Sequence, residues 1–184
     1  MTPRLRLRRW QARDEAAMAA INQDPEVTRY LNRPVDPVAT AAFYLLVQDH
    51  WAKHGFGVWA LEARGSGLER ESGPEPEPGL AGQLIGFAGV DYPAFLPELA
   101  TCPELGWRLA RHAWGRGLAT EAARAARDHA FDTLRLPELI SVIHPENVRS
   151  QRLARRLGMT LSQHVHNPVL DRYVDVWQLP SPHS

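Results

Sequence analysis

The sequence predicts an α/β domain built on one mixed sheet with helices packed against it. Three observations carry that expectation. Seven short segments read as strands, and segments with a period near 3.6 stand between them rather than in a block of their own. The 184 residues, 44% hydrophobic and 23% charged, supply one substantial core but not two. The predicted order is β-α-α-β-β-β-α-β-α-β-β, a single domain over 1–184 with its core between 3 and 179.

The first strand lies in RLRLRRW, where Leu5 and Leu7 alternate with arginines. Those arginines read as a solvated strand face. A nucleic-acid patch is the rival reading, disfavoured because 21 Lys and Arg are balanced by 21 Asp and Glu over the chain. From Ala12 to Asp24, Ala16, Ala17, Ala20 and Ile21 recur at helical spacing until Pro25 stops them. A second helix runs from Pro37 with Ala41, Tyr44, Leu45, Gln48 and Trp51 down its face, and Gly55 closes it. Strands follow at Gly57–Arg64 and Gln83–Tyr92. The intervening 65–82 is rich in Gly, Pro, Glu and Ser and has no periodicity, so a flexible hairpin loop is expected there.

After a proline-bearing loop, Glu104–Leu109 is the fourth strand. The next helix carries Ala119, Ala123, Ala126, Ala130 and Leu134 near one face and ends at Pro137. Glu138–His144 is apolar at its centre and therefore an interior strand. The helix after it has Asn147 as N-cap, Leu153 and Leu157 as its buried face and Gly158 as a left-handed stop. Thr160–Val165 and Arg172–Leu179 complete the strands.

Several function classes are disfavoured. Cys102 is the single cysteine, so no internal disulfide forms, and no apolar run reaches membrane-spanning length; a cytoplasmic protein with no membrane partner is expected. His50 and His54 are spaced i,i+4 without a third ligand nearby, so no metal is expected. No GxSxG elbow is present, and Cys102 has no evident base. His164 and His166 could touch a substrate, although strand alternation explains them equally well.

The segment ELGWRLARHAWGRGLATEAAR, from Glu104 to Arg124, is the chemically informative one. A strand runs into a loop bearing Gly115 and Gly117 around Arg116, and a helix starts at once. Such a junction gathers unpaired N–H groups and the positive end of a helix dipole, which suits a phosphate. A Walker loop needs Gly-Lys-Ser/Thr, which is missing. A dinucleotide fingerprint needs a third glycine where Thr120 stands. The pyrophosphate of coenzyme A is the third reading.

ELGWRLARHAWGRGLATEA, followed one helix and one strand later by HPENVRSQRLARRLGM, resembles the GNAT superfamily of N-acetyltransferases, within it the ribosomal-protein N-terminal (Rim-type) branch. The likeness runs from about Pro3 to Leu179. His112 stands where Gln or Arg is common, and Arg111 where the branch often has Pro. The resemblance implies the GNAT fold: a central, mostly antiparallel sheet flanked by helices and splayed between the fourth and fifth strands. It implies acetyl-CoA as cosubstrate, held by Trp107, Leu109, Ala110, Arg111, His112, Gly115, Arg116, Gly117, Leu118, Ala119, Asn147 and Ser150. The Leu109 N–H would polarise the thioester carbonyl. Glu104 is the implied base and Asp91 the weaker alternative. Ala154 stands where many members have the tyrosine that protonates the leaving thiolate, which makes Ser150 the candidate donor. The implied partner is a primary amine, on a protein N-terminus or a small molecule, with a homodimer left open. The rival functions are a catalytically idle acyl-CoA-binding module and, behind it, a nucleic-acid-associated protein.

Overall fold

Seven strands form one sheet in the order β1-β2-β3-β4-β5-β7-β6. They are β1 (Leu5–Arg8), β2 (Val58–Ala63), β3 (Leu84–Asp91), β4 (Glu104–Leu109), β5 (Glu138–Ile143), β6 (Thr160–Asn167) and β7 (Arg172–Pro180). The helices are α1 (Arg13–Gln23), α2 (Pro25–Thr28), α3 (Pro37–His54), α4 (Leu118–Asp128) and α5 (Val148–Arg156). This computed structural model describes residues 1–31, 35–64, 80–93, 96–168 and 171–183. The expected loop at 65–82 lies outside the described residues from 65 to 79. Its last turn is described, and there Gly82 N donates to Ala63 O at 2.8 Å.

Neighbouring strands are antiparallel except β4 and β5, which run the same way. The predicted mixed sheet is therefore present. β4 pairs with β3 along its whole length, from Gly86 with Leu109 to Asp91 with Glu104. Gly86 permits this approach. Its φ is 138°, and a Cβ there would stand 2.0 Å from Arg108 O.

Pro25 ends α1 as expected but also opens α2, with the Asp24 side chain accepting from Glu26 N at 2.9 Å. Asp36 caps α3 through Ala39 N, and Gly55 closes it at φ 74°. The buried face of α3 differs from the expected one. Thr40, Val47 and Trp51 are buried, whereas Leu45 is 66% exposed. Contacts outside the helix set this rotation: Thr40 Oγ1 accepts from Asn22 Nδ2 at 3.0 Å, and Phe43 packs on Trp10 and Phe87. The helix after the glycines is α4, which passes at His129 into a π-type turn reaching Thr133. One core cluster joins α1 and α3 to the sheet through Met18, Val47, Trp51 and Phe87. A second lies beneath α4, where Leu5, Leu61, Ile85, Leu118 and Ala122 meet. Each large apolar side chain so buried contributes about 1.5–3 kcal/mol.

The first-strand arginines are a solvated face only in part. Arg8 is half-buried and pairs with Asp14 at 2.6 Å and Glu62 at 2.8 Å, and half-buried Arg4 pairs with Glu121 at 2.7 Å. Arg6 is exposed, 3.7 Å from Glu62, and so is Arg9, which lies 4.2 Å over the Trp51 ring. Burial of a cation needs a partner, and these carboxylates arrive from β2, α1 and α4, which no local pattern announces.

Candidate active site

The sheet opens between β4 and β5. Among the described residues the two strands share one register pair, Glu104 with Ile140, beside which Ile140 N donates to Pro103 O at 2.9 Å. Just beyond that joint Ser141 Oγ donates to Leu105 O at 2.6 Å, standing in for a ladder bond. Further along, β4 keeps β3 on one edge only. Ala110 N donates to Ile85 O, so alternation assigns the even-numbered amides of β4 to β3 and turns those of Trp107 and Leu109 toward the opening. Gly106 leaves open space beside it: a Cβ there would meet nothing within 4 Å.

The Glu104 carboxylate sits at the closed end of this opening, half-buried, and Oε1 accepts from Val142 N at 3.2 Å. Asp91, its register partner on β3, lies beside it on the same face. That face looks toward α1 and α3, because Arg108, two positions further along the alternation, donates from Nη1 to Asn22 Oδ1 at 2.8 Å and lies over Phe87.

At the other end β4 runs into a turn. Ala113 N returns to Ala110 O and Trp114 N to Arg111 O, each at 3.0 Å, while Arg111 and His112 are exposed. Gly115 and Gly117 have φ of 75° and 73°, in the left-handed region the sequence predicted for them. Gly117 is the N-cap of α4 and brings no side chain to cap it, and the first helical bond is Glu121 N to Gly117 O. The amides of Leu118, Ala119 and Thr120 therefore have no partner within the helix. A Cβ on Gly115 would project into open space. A backbone cradle with positive helix polarity and an open mouth fits a pyrophosphate, and the exposed strand edge leading away from it fits an extended amide-bearing arm. Between α1 and this turn lies a cavity of about 670 Å³, lined by Ala17, Ala20, Ile21, Asp24 and residues 110–112.

The two sequence motifs meet through Trp114. Its Nε1 donates to Leu109 O at 2.8 Å, and Arg149 of α5 lies 4.5 Å over its ring. Asn147 is the N-cap of α5, its Oδ1 accepting from Ser150 N at 3.1 Å. Asn147 and Ser150 thus stand toward the cradle end, whereas Glu104 stands at the closed end. Ala154 is one turn beyond Ser150 on the same helix face and is buried. The structure brings the predicted coenzyme residues onto one path, from Trp107 through the turn to Ala119, with α5 beside it.

Sequence reasoning missed Arg4, Glu121 and Arg149, none of which carries a local signal. His164 Nδ1 donates to Asp175 Oδ1 at 2.7 Å and its ring stacks on Tyr173 at 4.8 Å, so it belongs to the β6–β7 ribbon. His50 and His54 pack on Phe56 and Tyr92, and no group of three metal-ligating side chains occurs among the described residues. No helix among those residues is long and apolar enough to cross a membrane.

A sequence family described as an acetyltransferase (GNAT) domain matches residues 4–160. The chain is 27% identical over 158 residues to the uncharacterized N-acetyltransferase p20 of Bacillus licheniformis, covering 85% of this chain and 79% of that one. An acetyltransferase from Agrobacterium tumefaciens strain C58 superposes with a TM-score of 0.76 at 30% identity, over 97% of this chain and 92% of its own. RimL, a ribosomal L7/L12 alpha-N-protein acetyltransferase solved with coenzyme A, shares the fold alone: its TM-score is 0.69 at 13% identity, over 100% of this chain and 97% of its own. With the splayed strands and the glycine cradle, these likenesses place the chain in the GNAT family, as an acetyl-CoA-dependent acetyltransferase.

Proposed function

We propose that this acetyltransferase acts on a primary amine that attacks the thioester directly, with both substrates bound together. The observation that supports it is the opening itself. One edge of β4 carries the Trp107 and Leu109 amides between a carboxylate at Glu104 and a phosphate-type cradle at Gly115–Ala119. Acetyl-CoA supplies the activated acyl group. The chain's part is to seat it through the amides from Trp107 to Ala119, together with Asn147 and Ser150, and to offer the Leu109 N–H where negative charge develops on the carbonyl oxygen.

An amine with a pKa of about 8–10 is largely protonated at neutral pH, so a proton must leave before attack. Glu104 accepts it, directly or through water, from an amine that enters on the face shared with Asp91. Ser150 Oγ donates to the departing sulfur, in place of a hydroxyl at position 154. Both a protein N-terminus and a small polyamine satisfy this chemistry, and the reading places the reaction in the cytoplasm.

The test is a thiol-release assay with acetyl-CoA against peptide N-termini, polyamines, aminoglycosides and amino acids. Turnover on at least one amine class, with the product acetylated on nitrogen, supports the proposal. Tight acetyl-CoA binding with no turnover on the whole panel would instead make the chain an acyl-CoA-binding module.

A further inference from the structure

Arg4 stands immediately before β1, and its main chain is fixed there. Its carbonyl accepts from Arg64 N at 2.9 Å and its amide donates to Glu121 Oε1 at 2.9 Å. From that base the side chain reaches the loop between β4 and α4. Nε donates to Glu121 Oε2 at 2.7 Å, Nη1 donates to Arg116 O at 2.7 Å, and Nη2 lies 3.5 Å from where a Cβ on Gly117 would stand. A residue at the start of the sheet thus grips the cradle from below.

The peptide joining Arg116 to Gly117 is planar and trans, so its C=O and N–H point in opposite directions. Holding the Arg116 carbonyl on the guanidinium turns the Gly117 N–H away from Arg4, toward the mouth of the cradle. Glycine on either side of Arg116 makes this peptide easy to rotate, because neither Gly115 nor Gly117 resists a change in the sign of φ. A rotated peptide would present a carbonyl oxygen to an incoming anion, where repulsion replaces a hydrogen bond. The charge-assisted bond from Arg4 opposes that rotation, and the doubly engaged Glu121 keeps the guanidinium in place.

We propose that Arg4 is a positioning residue for the coenzyme: it sets the orientation of the Arg116–Gly117 peptide and so the aim of the cradle's N–H groups, with Glu121 as its anchor. This rests on reading the loop as the pyrophosphate site. Arg4 acts through the loop, so its loss weakens coenzyme binding and leaves the chemical step intact.

The experiment compares Arg4→Met, Arg4→Lys and Glu121→Gln with the unaltered chain. Binding of coenzyme A and of pantetheine, which lacks the pyrophosphate, is measured by calorimetry. KM for acetyl-CoA and kcat are measured with whichever amine the panel identifies. Arg4→Met is expected to weaken coenzyme A binding and raise KM about 10-fold or more, to hold kcat within about two-fold, and to leave pantetheine binding unchanged. Arg4→Lys should recover part of the affinity. If Arg4→Met does not fold, Glu121→Gln, which keeps the shape of the anchor, must show the same selective loss for coenzyme A. Unchanged coenzyme A binding in the Arg4 and Glu121 variants, with the unaltered chain binding coenzyme A more tightly than pantetheine, overturns the proposal and keeps the pyrophosphate reading. Equal affinity of the unaltered chain for coenzyme A and pantetheine overturns both. An equal loss for coenzyme A and pantetheine shows a general structural role and overturns the proposal.

Discussion

Glu104 is the register partner of Ile140 across the joint between β4 and β5, and its carboxylate also accepts the Val142 N–H at 3.2 Å. One residue therefore closes the sheet and presents an acid at the point of closure. Glu104→Gln keeps that size and an oxygen for the Val142 N–H while removing the proposed base. The expected result is a fall in kcat of about 100-fold or more, largest at low pH where the amine is most protonated, with coenzyme A affinity unchanged. The pH–rate profile decides it, and an unaltered kcat at every pH would remove Glu104 from the chemistry.

Gly86 is where β3 comes so close to β4 that a side chain cannot be placed. Gly86→Ala puts a methyl group 2.0 Å from Arg108 O on backbone at φ 138°, so the strands must separate. The expected loss is about 3 kcal/mol or more in urea unfolding. Gly82→Ala is the control, because its φ is 76° but its Cβ would meet nothing within 4 Å; it should cost about 1 kcal/mol.

Asp14 links stability to acid. Burial alone would raise its pKa, but the Arg8 guanidinium and the Gln11 N–H outweigh burial and hold it below the usual carboxylate range. A pKa lower in the folded than in the unfolded chain gives stability that is whole above the unfolded value near ~4 and lost as pH falls through the folded one. Asp14→Asn should cost about 1.5–3 kcal/mol at neutral pH, because Arg8 loses one charge-assisted partner while keeping Glu62. The fall of Tm between pH 5 and pH 2, roughly the range of carboxylate titration, should become shallower in that variant.

Two histidines act on the same limb at milder pH. Burial pushes the pKa of both His50 and His129 down, so both stay neutral in the fold where the unfolded chain would take a proton. Their contribution is whole above the unfolded value of about 6.5 and declines as pH falls below it. His129 meets Trp59 edge-on at 5.0 Å, and phenylalanine keeps that contact without a titrating nitrogen. His129→Phe should flatten the dependence of Tm on pH between about 7 and 5. An unchanged slope would show that His129 carries none of it.

The cradle was legible in the sequence because its cause is local. Gly115 and Gly117 adopt the left-handed φ their positions suggest, and Asn147 and Gly158 cap and stop α5 as their spacing indicates. The rotation of α3 was not legible. Trp51 is buried and Tyr44 packs on the core as the spacing suggests, but Leu45 is exposed, because Asn22 and Phe87, from α1 and β3, decide that Thr40 and Phe43 also turn inward. Arg4 and Glu121 are 117 positions apart, and nothing in either neighbourhood distinguishes them from surface charges. What sequence reasoning lost was the long-range pairing that fixes the loop, while the loop's own chemistry could be read directly.

The opening beside β4 also has a signature in isotope exchange. β4 is the central strand of seven, yet the Trp107 and Leu109 amides face no partner strand. Their protection against deuterium has to come from burial or from the coenzyme's arm, while the Arg108 amide, turned toward β3, is held in the ladder. Neighbouring amides on one strand should therefore exchange at alternating rates in the unliganded protein, and coenzyme A should slow Trp107 and Leu109 selectively. Adding coenzyme would complete, for as long as it stays bound, a sheet that the polypeptide leaves one strand short.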